Sequence, residues 1–417
     1  MELFRVNPEY TFFQPEYVES FKCDGQKCQA ACCRRWKIRV EDELLNKYYE
    51  VESAENEITS HIEFSTKSND YSVALKSNGT CPFLNDENLC KLQLKYGESF
   101  LSRTCRLYPR IINKIENVPV LERVLTLSCP VAAELILFSA LPLKFKLVKE
   151  PQYDDTKLLE TIYKPPRAIY DNAQKLRLTA IKILQERSLT IDQRLAVLGV
   201  FLDILDETIK AEKFGDIPQI LDMYNSDEII YESLQAVWRD TKFNYKEFIT
   251  IMLSGIIEIL YGAEYQRGLA GKEMFEALKD FLKIDADGID KKAMDEVTKK
   301  LDALEPLNQK FTDHFAIIFE NYLVNEFFIN RYPWSLPTSI PNNFGVFVAT
   351  YKIIELMTFA ESVASNTMKQ QTILDAIIYF SRHIDHNAKC IKRISDEIGD
   401  DLNIPELVST FLRTNKA

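Results

Sequence analysis

Eight thiols crowd one stretch of this chain. Nine cysteines occur in 417 residues, and Cys23, Cys28, Cys32, Cys33, Cys81, Cys90, Cys105 and Cys129 all precede residue 130. Short spacings such as Cys28-x3-Cys32-Cys33 let one loop offer several thiolates to a single centre. The longer intervals bring thiols in from elsewhere in the fold. Structural zinc usually draws its four ligands from paired motifs of the C-x2-C kind, and none occurs here. Iron–sulfur clusters also take four thiolates, and they tolerate irregular spacing because the cluster is a larger object than one ion. Eight cysteines suffice for two four-ligand sites, or for one site with spectators, and the spacing leaves both open. Adjacent Cys32 and Cys33 point in different directions unless the backbone turns sharply, so both need not serve one centre. Cys390 stands alone in a helical stretch and reads as a small buried hydrophobe.

Other polar residues stand out by their surroundings. Arg103, Arg106 and Arg110 flank Cys105, where they could neutralise an anionic cluster or bind a carboxylate. Glu320, Asn321 and Tyr322 interrupt the apolar run Phe315–Val324, and a carboxylate in such a run must pair or face a polar pocket. His383 and His386 lie one helical turn apart, with Arg382 and Asp385 beside them; metal ligation, base chemistry and a helix-end role are all open to them. His61 and His314 carry no comparable signal.

The positioning elements follow from composition and pattern. Glycine is scarce, 12 in 417, which argues against an α/β fold rich in tight turns and for helices. The net charge is −11, so bulk electrostatics give no support to nucleic-acid binding. No uninterrupted apolar stretch reaches the ~18 residues of a membrane span, and the first residues show no secretory pattern. The expected compartment is cytoplasmic, where clustered cysteines more often bind metal or do redox chemistry than form structural disulfides.

Residues 1–150 read as an irregular cysteine-rich metal- or cluster-binding unit with a few short strands. The spacing predicts a helix over Val40–Val51, two strands within His61–Leu75 followed by a turn at Asn78-Gly79, a strand over Val120–Leu127 and a helix after Cys129-Pro130. Residues 151–417 read as a large multi-helix domain. Thr190-x-x-Gln193 is a capping box, and Leu195, Leu198, Leu202, Leu205 and Ile209 then form one apolar stripe. Further helices are predicted over 170–187, 243–262, 271–284, 290–304, 312–331, 345–364, 367–386 and 404–414, with breaks that include Pro306 and Pro333–Pro341. The fold class is mainly α.

Taken together, the cysteine blocks resemble the flagellin lysine-N-methylase family, which carries a region described as zinc- or iron-chelating. The matching pieces are Phe21-Lys22-Cys23…Cys28…Cys32-Cys33-Arg34-Arg35-Trp36, Cys81-Pro82-Phe83-Leu84…Leu89-Cys90, Gly97-Glu98…Leu101-Ser102-Arg103-Thr104-Cys105-Arg106-Leu107-Tyr108-Pro109-Arg110 and Leu127-Ser128-Cys129-Pro130. Glu320-Asn321-Tyr322-Leu323-Val324-Asn325 and Ser381-Arg382…His386-Asn387 extend the resemblance over nearly the whole chain. Val131 departs from it, at a position where an acidic residue is expected.

The resemblance implies methyl transfer from S-adenosylmethionine to lysines of flagellin, beside a thiolate-bound 4Fe-4S cluster or, alternatively, zinc. No strand with a glycine-rich turn marks a Rossmann-type donor site. The lysine must arrive neutral, so Glu320, Tyr322 and His386 are the catalytic candidates. Arg106, Arg110 and Asn321 are the cofactor-binding candidates, and the eight clustered cysteines are the metal ligands. No nucleic-acid or membrane partner is expected. A non-enzymatic metal or iron–sulfur protein, a redox sensor or scaffold, is the competing reading.

Overall fold

The computed structural model describes residues 9–28, 30–34, 37–51, 57–115, 118–151, 167–238, 245–261, 272–284, 289, 291–383 and 388–412. Among them are seven strands: β1 (Glu9–Pro15), β2 (Arg39–Val40), β3 (Ile62–Ser65), β4 (Asp70–Val73), β5 (Arg110–Lys114), β6 (Val120–Leu125) and β7 (Phe145–Pro151). From Ala173 onward the described elements are all helical, as the glycine scarcity and apolar stripes predict. None of the helices is long and apolar enough to cross a membrane, among the described residues.

The strands form two sheets. One is four-stranded, in the order β5-β6-β1-β7. Its β1 runs parallel to β6 and antiparallel to β7, with Thr11 opposite both Val120 and Lys149. Of these strands only β6 was expected. β1 and β7 are 130 residues apart in sequence, so no local turn signal announces their pairing. The other sheet is a small antiparallel β2-β4-β3 unit, and here the hairpin expected within His61–Leu75 is present. The following turn is also as predicted: Asn78 Oδ1 accepts from the Thr80 amide at 3.0 Å, and Gly79 takes a positive φ of 79°.

The cysteine-rich region contributes to two main cores. Phe13, Tyr17, Val124, Leu127, Cys129, Ala132 and Leu143 join one large core with the helices that follow. A second, smaller core gathers Ile38, Val40, Leu44, Leu45, Tyr48, Phe83, Leu92 and Leu101, with Cys81 buried and Cys33 and Cys90 packed against it. Charges on the central strand β6 are matched locally. Glu122 pairs with the equally buried Arg177, and Arg123 donates two hydrogen bonds to the Glu150 carboxylate, at 2.6 and 2.8 Å. Such groups are costly in a sheet interior unless paired.

At the centre of the helical body lies the helix Ile340–Ser365, buried along nearly its whole length. A helix apolar on all sides belongs inside a large core. It begins at the expected proline break: Ser339 caps it and Pro341 occupies the first turn. Pro306 does not break its helix, which runs from Lys291 to His314. Proline in a helix interior costs ~3 kcal/mol, and packing against the helices Ala316–Ile329 and Ile340–Ser365 outweighs it. The helix Asp227–Trp238 was not anticipated.

Candidate metal centre

The thiols are positioned by turns and short helices rather than by long elements. Ala30 takes the left-handed conformation, φ 49°, and opens a 3-10 turn over Ala31–Cys33, closed by the Cys33 amide donating to Ala30 O at 2.9 Å. Three residues per turn separate successive side chains by ~120°, so Cys32 and Cys33 leave the backbone in different directions. Their sulfurs remain 3.9 Å apart.

Cys33 is tied to the small core. Its carbonyl accepts from the Cys81 amide at 2.9 Å, and the Leu84 amide closes a turn on Cys81 O. Leu84 forms a bridge with Cys90, which caps the helix Lys91–Tyr96. Cys105 sits in the helix Arg103–Leu107, whose cap Ser102 accepts from the Cys105 amide at 3.3 Å.

The other thiols face the large body. Cys28 closes the loop after Cys23 by donating its amide to Asp24 O. Lys27 then reaches Glu134 at 2.8 Å, fastening that loop to the helix Pro130–Leu137. Cys129 is the cap of this helix and Pro130 its first residue, as the Cys-Pro pair predicts. Arg382, at the end of the helix Gln370–His383, donates Nε to Ser128 O at 2.8 Å. Tyr108 Oη lies 3.2 Å from Ser128 Oγ.

Mutual electrostatics trace the same neighbourhoods. Burial pushes the Cys81 thiol up, with Cys90 and Cys32 adding to it. Cys105 has exposed surface, yet desolvation around its sulfur takes it up to about 12, helped by Cys90, Cys81 and Cys32. Burial takes Cys129 up to about 11, with Cys28 and Cys32 adding to it. Cys23 is raised by burial and then by Cys32 and Cys28, while Arg110 works in the opposite sense. Cys32 is lowered to about 7, first by a hydrogen bond from Cys33 and also by Arg382; Cys33 moves up as the donor of that bond. Gathering so many thiols in partly buried space penalises their ionisation, and a bound cation relieves that penalty.

Among the described residues, no three Cys, His, Asp or Glu side chains converge closely enough to hold one metal ion. The donor set nevertheless suits a larger thiolate-bound centre, whose ligand sulfurs stand further apart than those around one ion. A second observation agrees. Among the described residues, Arg382 Nη2 is buried with no hydrogen-bond partner, beside Cys32 and Tyr108, which feel its charge. An open cationic donor facing thiols suits an anionic group.

The remaining candidates lie elsewhere. Glu320 is buried, and its carboxylate accepts from Arg187 Nη2 and Arg194 Nη1, each at 2.8 Å. Asn321 donates Nδ2 to Leu137 O at 3.2 Å and Ser139 O at 2.8 Å. It thus holds the far end of the helix that Cys129 begins, ~12 Å away by helical rise. Its Oδ1 is buried and unpartnered among the described residues. Tyr322 is buried in the same helix, Ala316–Ile329. His386 lies outside the described residues, as do Arg35, Trp36, Asp385 and Asn387. Arg110 stacks over Phe21 at 5.3 Å, next to Cys23, and Arg106 shares the helix of Cys105. The rings of His61 and His314 pack edge-on against Phe83 and Phe315. Cys390 is fully buried in the large core, as its isolation suggests.

Sequence reasoning missed Arg187 and Arg194 as the partners of Glu320, and Arg382 as a neighbour of Cys32. Arg382 had a signal, since it belongs to the Ser381-Arg382 block of the resemblance; the other two had none. A separate open cleft of about 540 Å3 is lined by Leu143, Lys144, Phe145, Leu178, Ile181 and Glu186, among others, a size usual for small-molecule sites.

Residues 177–410 match the family described as "FliB lysine N-methylase C-terminal domain", and residues 22–123 match the "Putative zinc- or iron-chelating domain". The chain belongs to the FliB lysine N-methylase family. It is 22% identical to the lysine-N-methylase of Salmonella typhimurium strain LT2, over 96% of this chain and the full length of that protein. The lysine-N-methylase of Salmonella choleraesuis aligns to the same extent. The flagellar biosynthetic protein FliU of Salmonella muenchen is 31% identical over 31% of this chain and 78% of its own length. No solved structure matches the chain significantly.

Proposed function

We propose that this chain methylates lysine side chains of flagellin with S-adenosylmethionine, and that its clustered thiols hold an iron–sulfur or zinc centre. The observation that carries the reading is the end-to-end alignment with proteins named lysine-N-methylase, with FliU adding the flagellar association.

S-adenosylmethionine supplies a sulfonium methyl for direct displacement. The chain's task is to bring the lysine in neutral and in line, since a protonated amine has no lone pair to attack. Arg106, Arg110 and Asn321 stay the candidates for contact with the donor. Glu320 is engaged by two arginines, so we give it the role of ordering the helix that carries Tyr322 and Asn321. His386 stays a candidate base.

The thiolate set would be held by Cys23, Cys28, Cys32, Cys33, Cys81, Cys90, Cys105 and Cys129, with Arg382 balancing its charge. In the cytoplasm these thiols would remain reduced and available to metal. The test is incubation of purified protein with flagellin and methyl-labelled S-adenosylmethionine, followed by mass spectrometry. Methyl-lysine in flagellin is expected. Absence of label from a metal-replete preparation, together with no binding of the donor, would favour the redox-sensor or scaffold reading instead.

A further inference from the structure

We infer that the eight thiols form two separate four-cysteine sites, Cys33/Cys81/Cys90/Cys105 and Cys23/Cys28/Cys32/Cys129, which meet at the Cys32–Cys33 dipeptide. The inference rests on the thiolate-centre reading above and goes beyond it, in number of sites and in ligand assignment.

The backbone carries the division. Cys33 and Cys81 are joined by a main-chain hydrogen bond, and Cys90 is joined to the Cys81 turn through Leu84. Cys33, Cys81 and Cys90 all pack on the small core, where Tyr48 donates to Phe100 O at 2.9 Å. Cys105 follows Leu101 of that core, and the amide of Arg103, two residues before it, donates to Glu41 Oε2 at 3.3 Å. Cys129 instead belongs to the large core. The Cys23–Cys28 loop is bound to the helix of Cys129 by the Lys27–Glu134 pair.

The 3-10 turn at Ala31–Cys33 supplies the fork. It turns adjacent side chains by ~120°, so one cysteine can serve each side. Cys33 is influenced first by Cys32, whose sulfur lies 3.9 Å away at the boundary between the sets, and then by Cys105 and Cys81. Cys32 acts on Cys129 and Cys23 and neighbours Arg382 and Tyr108. It also reaches Cys81 and Cys105, as a residue at the boundary must. Each set contains four thiols, the number that a 4Fe-4S cluster takes.

The experiment counts metal per chain. The full-length protein is purified anaerobically, reconstituted with iron and sulfide or with zinc, and analysed for metal and sulfide. The variants are C81S/C105S, C28S/C129S and the combination of all four. Two centres are expected in the unmodified chain, one in either double variant and none in the combination. C33S should act like the first double variant and C32S like the second. Circular dichroism checks that the helical body stays folded; a double variant that has lost it is replaced by C33S or C32S. A single centre abolished by either double variant, or by only one of them, overturns the two-site assignment while leaving the thiolate-centre reading intact. An unmodified chain that takes up neither iron nor zinc overturns both.

Discussion

The two cores of this protein are stabilised in different ways. The large one joins the four-stranded sheet to the helices and buries side chains by the dozen, so hydrophobic burial alone can hold it. It even accommodates ionic groups in its interior, such as Lys352 between Asp192 and Glu355 at 2.6 and 2.9 Å. The small core has eleven buried residues between Ile38 and Leu101, built on two- and four-residue strands. A unit of that size rarely sustains itself without a staple, and metal is the staple its thiols offer. The difference teaches where ligand energy would count most: the helical body has extensive packing of its own, whereas the small core has few buried residues and thiols at its edge.

The largest expected effect breaks the comparison from the self-sufficient side. Lys352→Met removes the cation shared by Asp192 and Glu355, all three being nearly inaccessible. Thr312 still donates to Glu355 at 2.6 Å, but two carboxylates would then share buried space without the Lys352 charge between them. Removing one partner of a buried ion pair costs about 3–5 kcal/mol. Thermal melting followed at 222 nm should show a large fall in Tm for the helical signal. An unchanged melt would mean that this charge group contributes nothing to the body's stability.

Removal of metal should act on the other region. A ligand at ~100–1,000 times its Kd stabilises the form that binds it by about 2.7–4.1 kcal/mol, and a chelator takes that away. Limited proteolysis after chelation should cut within 37–101 while fragments from 173 onward persist. Equal resistance with and without chelator would show that the small core holds without metal.

The same contrast explains what could be read from the sequence. The helical body was legible because its information is local: a leucine stripe, the Thr190/Gln193 box, and proline at helix starts such as Pro130 and Pro341. Packing overruled a local rule at Pro306. The sheet was mostly illegible, because β1 finds β6 and β7 over separations of more than a hundred residues. The candidate metal residues were legible as a class, since thiols cluster visibly. Their division into neighbourhoods was not, because it depends on a 3-10 turn entered through the left-handed Ala30, a conformation that alanine rarely takes. Glu320 was visible as a charge in an apolar run, but its partners come from a different helix and the preceding loop, over 120 residues away.

The smallest expected effect sharpens the comparison by probing a purely local device within the large body. Thr190 Oγ1 accepts from the Gln193 amide at 3.3 Å, and Gln193 Oε1 accepts from the Thr190 amide at 2.9 Å. Thr190→Ala removes one arm of this box and should cost about 1 kcal/mol. Asn403 and Glu406 form the same box at the helix Ile404–Phe411, at 2.9 and 3.0 Å. Asn403→Ala should therefore cost a similar amount. The two helices pack against each other, yet their caps share no hydrogen bond, so the double variant should destabilise by roughly the sum of the two. Urea unfolding of the helical signal measures it. A double variant much less stable than that sum would mean that the helix starts are coupled through the core between them. In either case metal retention by the thiols on the small core should stay unchanged, because neither cap belongs to that core.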